Sequence, residues 1–252
     1  MAVYAGDQYG HGFSEGTRFY IPSWEENRND LITFVNLISD KNSKDIPIFM
    51  AGESYGGCLT ILATKYFQDF PSKAPINFDS CLLIAPAIEG DLPPFPVLQL
   101  LRYVLAPIAP KWTPFFMPNT VSPDKIWRDT AVCDYYTTPR KLEMKLDAIG
   151  KPFRLGTAVQ LLKALEECRS IVMNYKQSFC IVHGSNDIAV PISGSKLLFD
   201  NCVTSNDNKE LHIINESYHG ILAEPEAEEA MEHIISYVDK RMKKFTTTTT
   251  SK

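Results

Sequence analysis

The chain has 252 residues, with 25 Lys and Arg against 30 Asp and Glu, giving a net charge of −5. Apolar residues make up 44% and charged residues 22%, a balance that fills a core and excludes a disordered chain. The acid excess excludes the basic footprint of a nucleic-acid binder, no run of about twenty apolar residues offers a spanning helix, and no basic-then-apolar leader opens the chain.

In chain order, Ala2 to Ala5 reads as a very short strand, followed by a glycine-rich loop from Asp7 to Gly16. Leu31, Phe34, Val35 and Ile38 recur at helical spacing and predict a helix over Trp24 to Lys41. Pro47 to Ala51 is a buried-strand pattern, Tyr55 to Phe67 a helix, and Phe78 to Ala85 a second apolar strand. Regularity then breaks, with nine of the seventeen prolines between Pro86 and Pro123. Phe95 to Ala109 is almost wholly apolar but is interrupted by Pro96 and Pro107. A helix is expected over Thr157 to Arg169. Alternation resumes with a strand at Ser178–His183, a helix at Ser193–Asn201, a strand at Glu210–Ile214 and a long helix at Glu224–Lys244. Continuous apolar strands separated by helices predict an α/β protein, with a mostly parallel sheet covered on both faces and an inserted cap. The expected organisation is core over 1–88, cap over 89–170, core over 171–245 and a disordered tail over 246–252. Six scattered cysteines without C-x-x-C spacing read as buried reduced thiols of a cytoplasmic protein rather than a disulfide framework or zinc site.

Gly52-Glu53-Ser54-Tyr55-Gly56 matches G-x-S-x-G between a predicted strand and a predicted helix, the context of a nucleophile elbow. Gly52 and Gly56, lacking Cβ atoms, are expected to let strand and helix approach behind Ser54. The Tyr55 backbone N–H, at the helix N-terminus, is the expected oxyanion donor. A serine hydroxyl needs a base, and the base an orienting acid. Asp187 follows the strand Ser178–His183, and His219 follows the strand ending at Ile214, so Ser54, Asp187 and His219 leave three different strands in the order of an α/β-hydrolase triad. His183 and His212 lie inside strand patterns and His233 within a helix, positions that suit structural roles. His11 precedes Ser54, the wrong order for a base. Asp200 and Asp207 fall in a helix and a polar loop and are lesser acids. Glu53 reads as a solvated elbow residue. No metal or cofactor is implied, since triad chemistry needs none.

At these residues the sequence resembles the monoacylglycerol lipase and lysophospholipase branch of the α/β-hydrolases, of the serine aminopeptidase S33 type. Asp7-x-x-Gly10-His11-Gly12-x-Ser14-x-Gly16 resembles the family's D-x-x-G-H-G-x-S-x-G loop. Gly52-x-Ser54-x-Gly56-Gly57 resembles its elbow, His183-Gly184-x-x-Asp187 its acid loop and His219 its base. The resemblance implies a serine hydrolase of lipid carboxylic esters, with small-ester esterase or aminopeptidase activity as alternatives within enzymes. It also implies that the insert is a cap whose Phe95, Leu98, Leu101 and Leu105 bind an acyl chain. Peripheral membrane contact through that cap is a further expectation; the oligomeric state is left open. In the family, strands and a His-Gly loop precede the D-x-x-G-H-G loop, and that His-Gly loop gives the second oxyanion N–H. Only six residues precede Asp7, so the N-terminal strands and the second donor are expected to be missing, which leaves a truncated, non-catalytic acyl-binding protein as the competing reading.

Overall fold

The computed structural model describes residues 1–90, 92–115, 117–137 and 151–250. Asp91, Phe116 and residues 138–150 of the expected cap, and the last two residues of the expected tail, lie outside the described residues.

Helix α1 (Trp24–Lys41) starts where the Ser23 side chain accepts the Glu26 amide, and Glu25 and Glu26 complement the positive end of its dipole. It is followed by β1 (Ile48–Glu53), α2 (Tyr55–Asp69) and β2 (Phe78–Ile84). Between β2 and the next strand lie α3 (Phe95–Leu100), a π turn (Leu101–Leu105), α4 (Ala106–Ile108), α5 (Pro123–Ile126), α6 (Thr130–Thr137) and α7 (Leu155–Ile171). Strand β3 (Ser178–Gly184), α8 (Ile192–Asn201), β4 (Lys209–Ile214) and α9 (Ala227–Thr250) complete the chain.

The four strands pair in the order β1-β2-β3-β4, and every pair is parallel. Side chains alternate between the two faces. Cys81, Leu83, Phe179 and Ile181 enter one apolar cluster with Cys58, Ile61 and Leu62 of α2, Ala164 and Cys168 of α7, and Leu198 of α8. Leu82, Ile84, Cys180 and Val182 enter another with Ala230, Ile234 and Tyr237 of α9. Helices therefore cover both faces, as continuous apolar strands require. Five of the six cysteines are buried in these layers and Cys133 is half-buried; all are free thiols.

Several elements depart from the sequence reading. Ala2 to Ala5 forms no strand: residues 1–5 are exposed coil, because no described strand runs beside them to take their backbone hydrogen bonds. The stretch from Phe95 to Ile108 is helical throughout. The Ala106 amide reaches back five residues to the Leu101 carbonyl, and this wider turn accommodates Pro107, whose ring would clash with a regular turn. The last helix begins at Ala227 rather than Glu224, and it runs through the threonine run expected to be a disordered tail. The hydroxyls of Thr246 and Thr247 bond the Met242 and Lys243 carbonyls four residues back, within the helix.

One buried ion pair fastens α9 to the sheet. Arg241 grips Asp79 of β2 through Nε at 2.7 Å and Nη2 at 3.0 Å, and its Nη1 donates to Asn208 Oδ1 at 2.7 Å. Removing one member leaves the other charge buried and unpaired. Arg241→Met should lower the unfolding free energy by about 3 kcal/mol in urea denaturation, and Asp79→Asn in the same background should recover part of it.

Candidate active site

All four strands point the same way, so their carboxyl ends share one rim. Ser54 follows β1 directly and precedes α2. It holds φ 53° and ψ −120°, left-handed backbone that costs a non-glycine residue of order 1–3 kcal/mol. The strain is held by hydrogen bonds: the Ser54 amide donates to the Ile84 carbonyl at 2.9 Å, and its carbonyl accepts from Ala87 at 2.9 Å and Cys58 at 3.2 Å. Ala85 (φ 41°) and Glu216 (φ 60°) lie at the ends of β2 and β4, so backbone strain concentrates along this rim.

The close approach behind Ser54 comes partly from a different glycine than expected. A Cβ on Gly52 would collide with the Gly56 carbonyl and lie 2.6 Å from Thr60 Oγ1. Around Gly56 there is open space, whereas a Cβ on Gly57 would lie 2.8 Å from Pro86 Cβ. Gly52 and Gly57 are thus the residues that let β1, α2 and the end of β2 meet.

Asp187 and His219 are brought together. Asp187 Oδ2 accepts from His219 Nδ1 at 2.7 Å, and its Oδ1 accepts the amides of Ala189 at 2.9 Å and Val190 at 2.8 Å. The Asp187 side chain is fully buried and that of His219 nearly so. Gly184 permits the approach of the two loops, because a Cβ there would collide with the Ser217 and Tyr218 carbonyls. With Nδ1 engaged, Nε2 is the imidazole atom left for chemistry. Ser54 Oγ makes no hydrogen bond among the described residues.

His183 is a site residue that strand patterning misses. Buried at the end of β3, it points Nε2 at Asp187 Oδ2 (3.1 Å) and the Val190 carbonyl (3.2 Å), while Nδ1 meets the Ser195 hydroxyl at 2.7 Å. The Ser195 O–H donating to Nδ1 leaves the proton on Nε2, bonded to the Val190 carbonyl and beside the Asp187 carboxylate. The available signal was its i, i+4 spacing from Asp187. Burial alone would raise the Asp187 pKa; hydrogen bonds from His183 and His219, the charge of His219 and the Val190 amide together hold it well below the usual carboxylate range. Glu53, the last residue of β1, has its carboxyl pushed up by desolvation, against the pull of His219 and with the push of Asp187.

Other expected residues are placed as follows. Tyr55 is the first residue of α2. Leu98 is buried, and Phe95 is largely exposed. Leu101 and Leu105 pack with Met117 against Leu155 and Val159 of α7. Two open surface hollows include none of Ser54, Asp187 or His219; one runs along α9, and the other lies among Arg18, Phe19, Thr113, Lys151, Pro152 and Arg154. Among the described residues one trio has metal-ligand spacing: Cys180, Glu210 and His212, with ligand atoms within 4.8 Å. Glu210 already takes Lys240 at 2.8 Å and His212 at 3.1 Å, and burial with the Glu210 charge pushes the Cys180 thiol up to about 12. The trio's charges are satisfied without a cation.

Residues 1–226 match the family described as serine aminopeptidase, S33. The chain belongs to this family. An uncharacterized abhydrolase domain-containing protein of Dictyostelium discoideum is 27% identical over 96% of this chain, which spans only 24% of that protein. Caffeoylshikimate esterase of Arabidopsis thaliana is 28% identical, covering 97% of this chain and 70% of its own length. Monoglyceride lipase of Rattus norvegicus is 26% identical, covering 94% and 72%. The crystal structure of Paleococcus ferrophilus monoacylglycerol lipase superposes with a TM-score of 0.72 at 22% identity, covering 92% of this chain and 80% of that one. The S33-family chain thus has the α/β-hydrolase fold.

The low native pKa of Asp187 has a definite sign. Its contribution to stability is complete above the unfolded value of about 3.9 and is lost as pH falls through it toward the native value. Urea denaturation between about pH 6 and pH 3 should therefore show a steeper loss of stability in the native sequence than in Asp187→Asn.

Proposed function

We propose that the protein is a serine hydrolase that cleaves carboxylic esters of lipids, with monoacylglycerols or lysophospholipids as the substrate class. The observation that carries this reading is the buried 2.7 Å Asp187–His219 hydrogen bond on the same strand rim as a serine strained to φ 53°. In this mechanism His219 Nε2 takes the Ser54 proton as Oγ attacks the ester carbonyl. Asp187 fixes the imidazole tautomer and stabilises the imidazolium. The Tyr55 N–H, at the start of α2, donates to the oxyanion. His219 then gives its proton to the leaving alcohol. Water, activated by the same histidine, attacks the acyl-Ser54 ester and regenerates the enzyme.

The apolar character of the substrate is supported by the insert. Phe95, Tyr103, Ile108 and Phe115 are 73%, 71%, 78% and 97% exposed, an apolar surface suited to an acyl chain or a lipid interface. No helix among the described residues is long and apolar enough to cross a membrane, so contact with lipid in this reading is peripheral. The similarity to an Arabidopsis thaliana esterase keeps small phenolic esters as the second reading.

A fluorophosphonate probe should label the native protein and spare Ser54→Ala; labelling that persists in the variant excludes Ser54 as nucleophile. Turnover of a p-nitrophenyl ester series should rise with acyl length. A flat or falling profile favours the small-ester reading, and absence of both turnover and labelling in folded protein favours a non-catalytic binder.

A further inference from the structure

The loop that carries His219 is short of regular structure. A single 3-10 turn, Ile221–Ala223, separates it from α9. Its position is set from outside, by the stretch between α5 and α6. The Gly220 amide donates to the Ile126 carbonyl at 2.8 Å. A Cβ at position 220 would collide with Trp127 Nε1 and lie 2.5 Å from its Cδ1. Trp127 is itself buried and stacked on Tyr136, with ring centroids 4.5 Å apart.

Arg128 completes the contact. Its amide donates to Glu224 Oε1 at 2.5 Å, and its Nε lies 3.5 Å from Glu224 Oε2. Nη2 donates to Glu226 Oε1 at 2.5 Å and Nη1 to Glu216 Oε2 at 3.3 Å. Glu216 and Glu224 flank His219 in the chain, so Arg128 reaches both shoulders of the loop, Glu216 through its guanidinium and Glu224 through its amide and the nearby guanidinium charge. The Glu224 side chain is fully buried, and burial pushes its carboxyl up against the opposing pull of Arg128. A charge in that position needs its partner. On the other shoulder the strained Glu216 donates its amide to Ser185 Oγ at 2.9 Å, and Asn186 donates to the Ser217 carbonyl at 3.1 Å. The base loop is thereby clamped between the Asp187 loop and the insert.

We propose that Arg128 is a positioning residue for His219, acting through Glu216 and Glu224, with Trp127 against Gly220 as the second jaw of the clamp. The inference rests on the reading of His219 as the base. It makes the insert part of the reaction machinery: displacing residues 126–128 releases the imidazole from its working position, so turnover depends on how the insert is seated.

The test compares R128Q and R128K with the native chain, using a short p-nitrophenyl ester and the fluorophosphonate probe. A base misplaced by a fraction of an ångström should lower kcat by roughly 10- to 100-fold in R128Q, with KM within about twofold and the labelling rate falling in parallel. R128K keeps the charge but not the forked geometry, and should recover part of the loss. R241M, destabilised at a remote site, should keep native kcat. Native kcat in R128Q, or a loss that falls on KM alone, overturns the proposal. Should R128Q fail to fold, R128K decides: a several-fold lower kcat supports the clamp, and an unchanged kcat overturns it. Ser54→Ala and His219→Ala separate the two readings. If both are inactive while R128Q is unimpaired, the clamp fails and the base assignment stands. If His219→Ala turns over normally, the base assignment fails and the clamp with it.

Discussion

Parallel pairing on both sides of β3 determines where every group on the rim emerges. In register, Glu53 stands level with Ile84, Ile84 with Val182, and Val182 with His212. The next residues of β1 and β2 turn out of the sheet at the same height, while β3 and β4 continue to Gly184 and Ile214 before their loops begin. Had one strand run the other way, its loop would have left from the opposite edge. The crossing helices are therefore a condition of the site as well as a cover for the sheet: parallel neighbours cannot be joined by a tight hairpin, and each return trip places a helix on a face.

Within that frame the largest electrostatic commitment is the buried Asp187 carboxylate. Burial opposes its charge, yet protons from two imidazoles and two amides converge on its oxygens. A carboxylate so surrounded orients whatever it holds, and it holds His219 and His183 through the same oxygen. His183 is in turn fixed by Ser195 of α8. The orientation of the His219 ring thus descends from β3 and α8 on one side and from the insert on the other.

Much of this was legible in the sequence, for physical reasons that differ by element. The runs at Cys81–Ile84 and Phe179–Val182 announce strands buried on both faces, and Leu31, Phe34, Val35 and Ile38 draw one side of a helix, because these patterns depend on local periodicity. Residues whose fate depends on a distant partner were not legible. Ala2–Ala5 has strand composition, but a strand needs a neighbour. Glu224 resembles a helix start, yet it is held by Arg128 and the helix begins after it. Pro107 reads as a breaker, but a π turn absorbs it. Gly56 and Gly57 are indistinguishable as letters, and only packing against Pro86 separates them. Ser54, Asp187 and His219 were legible as candidates because each follows its own strand; His183 was hidden because it lies within the strand.

The two ends of the sheet differ in what they support. Among the described residues β1 has a neighbour on one side only, and its outward Ala51 and Glu53 are exposed. The strained serine backbone is thus mounted on a strand with half the lateral bonding of β2, its one neighbour. Asp187, by contrast, leaves an interior strand paired on both sides. Local opening begins where the fewest backbone bonds must break, so among the described strands β1 and β4, which lead to Ser54 and His219, open before β2 and β3.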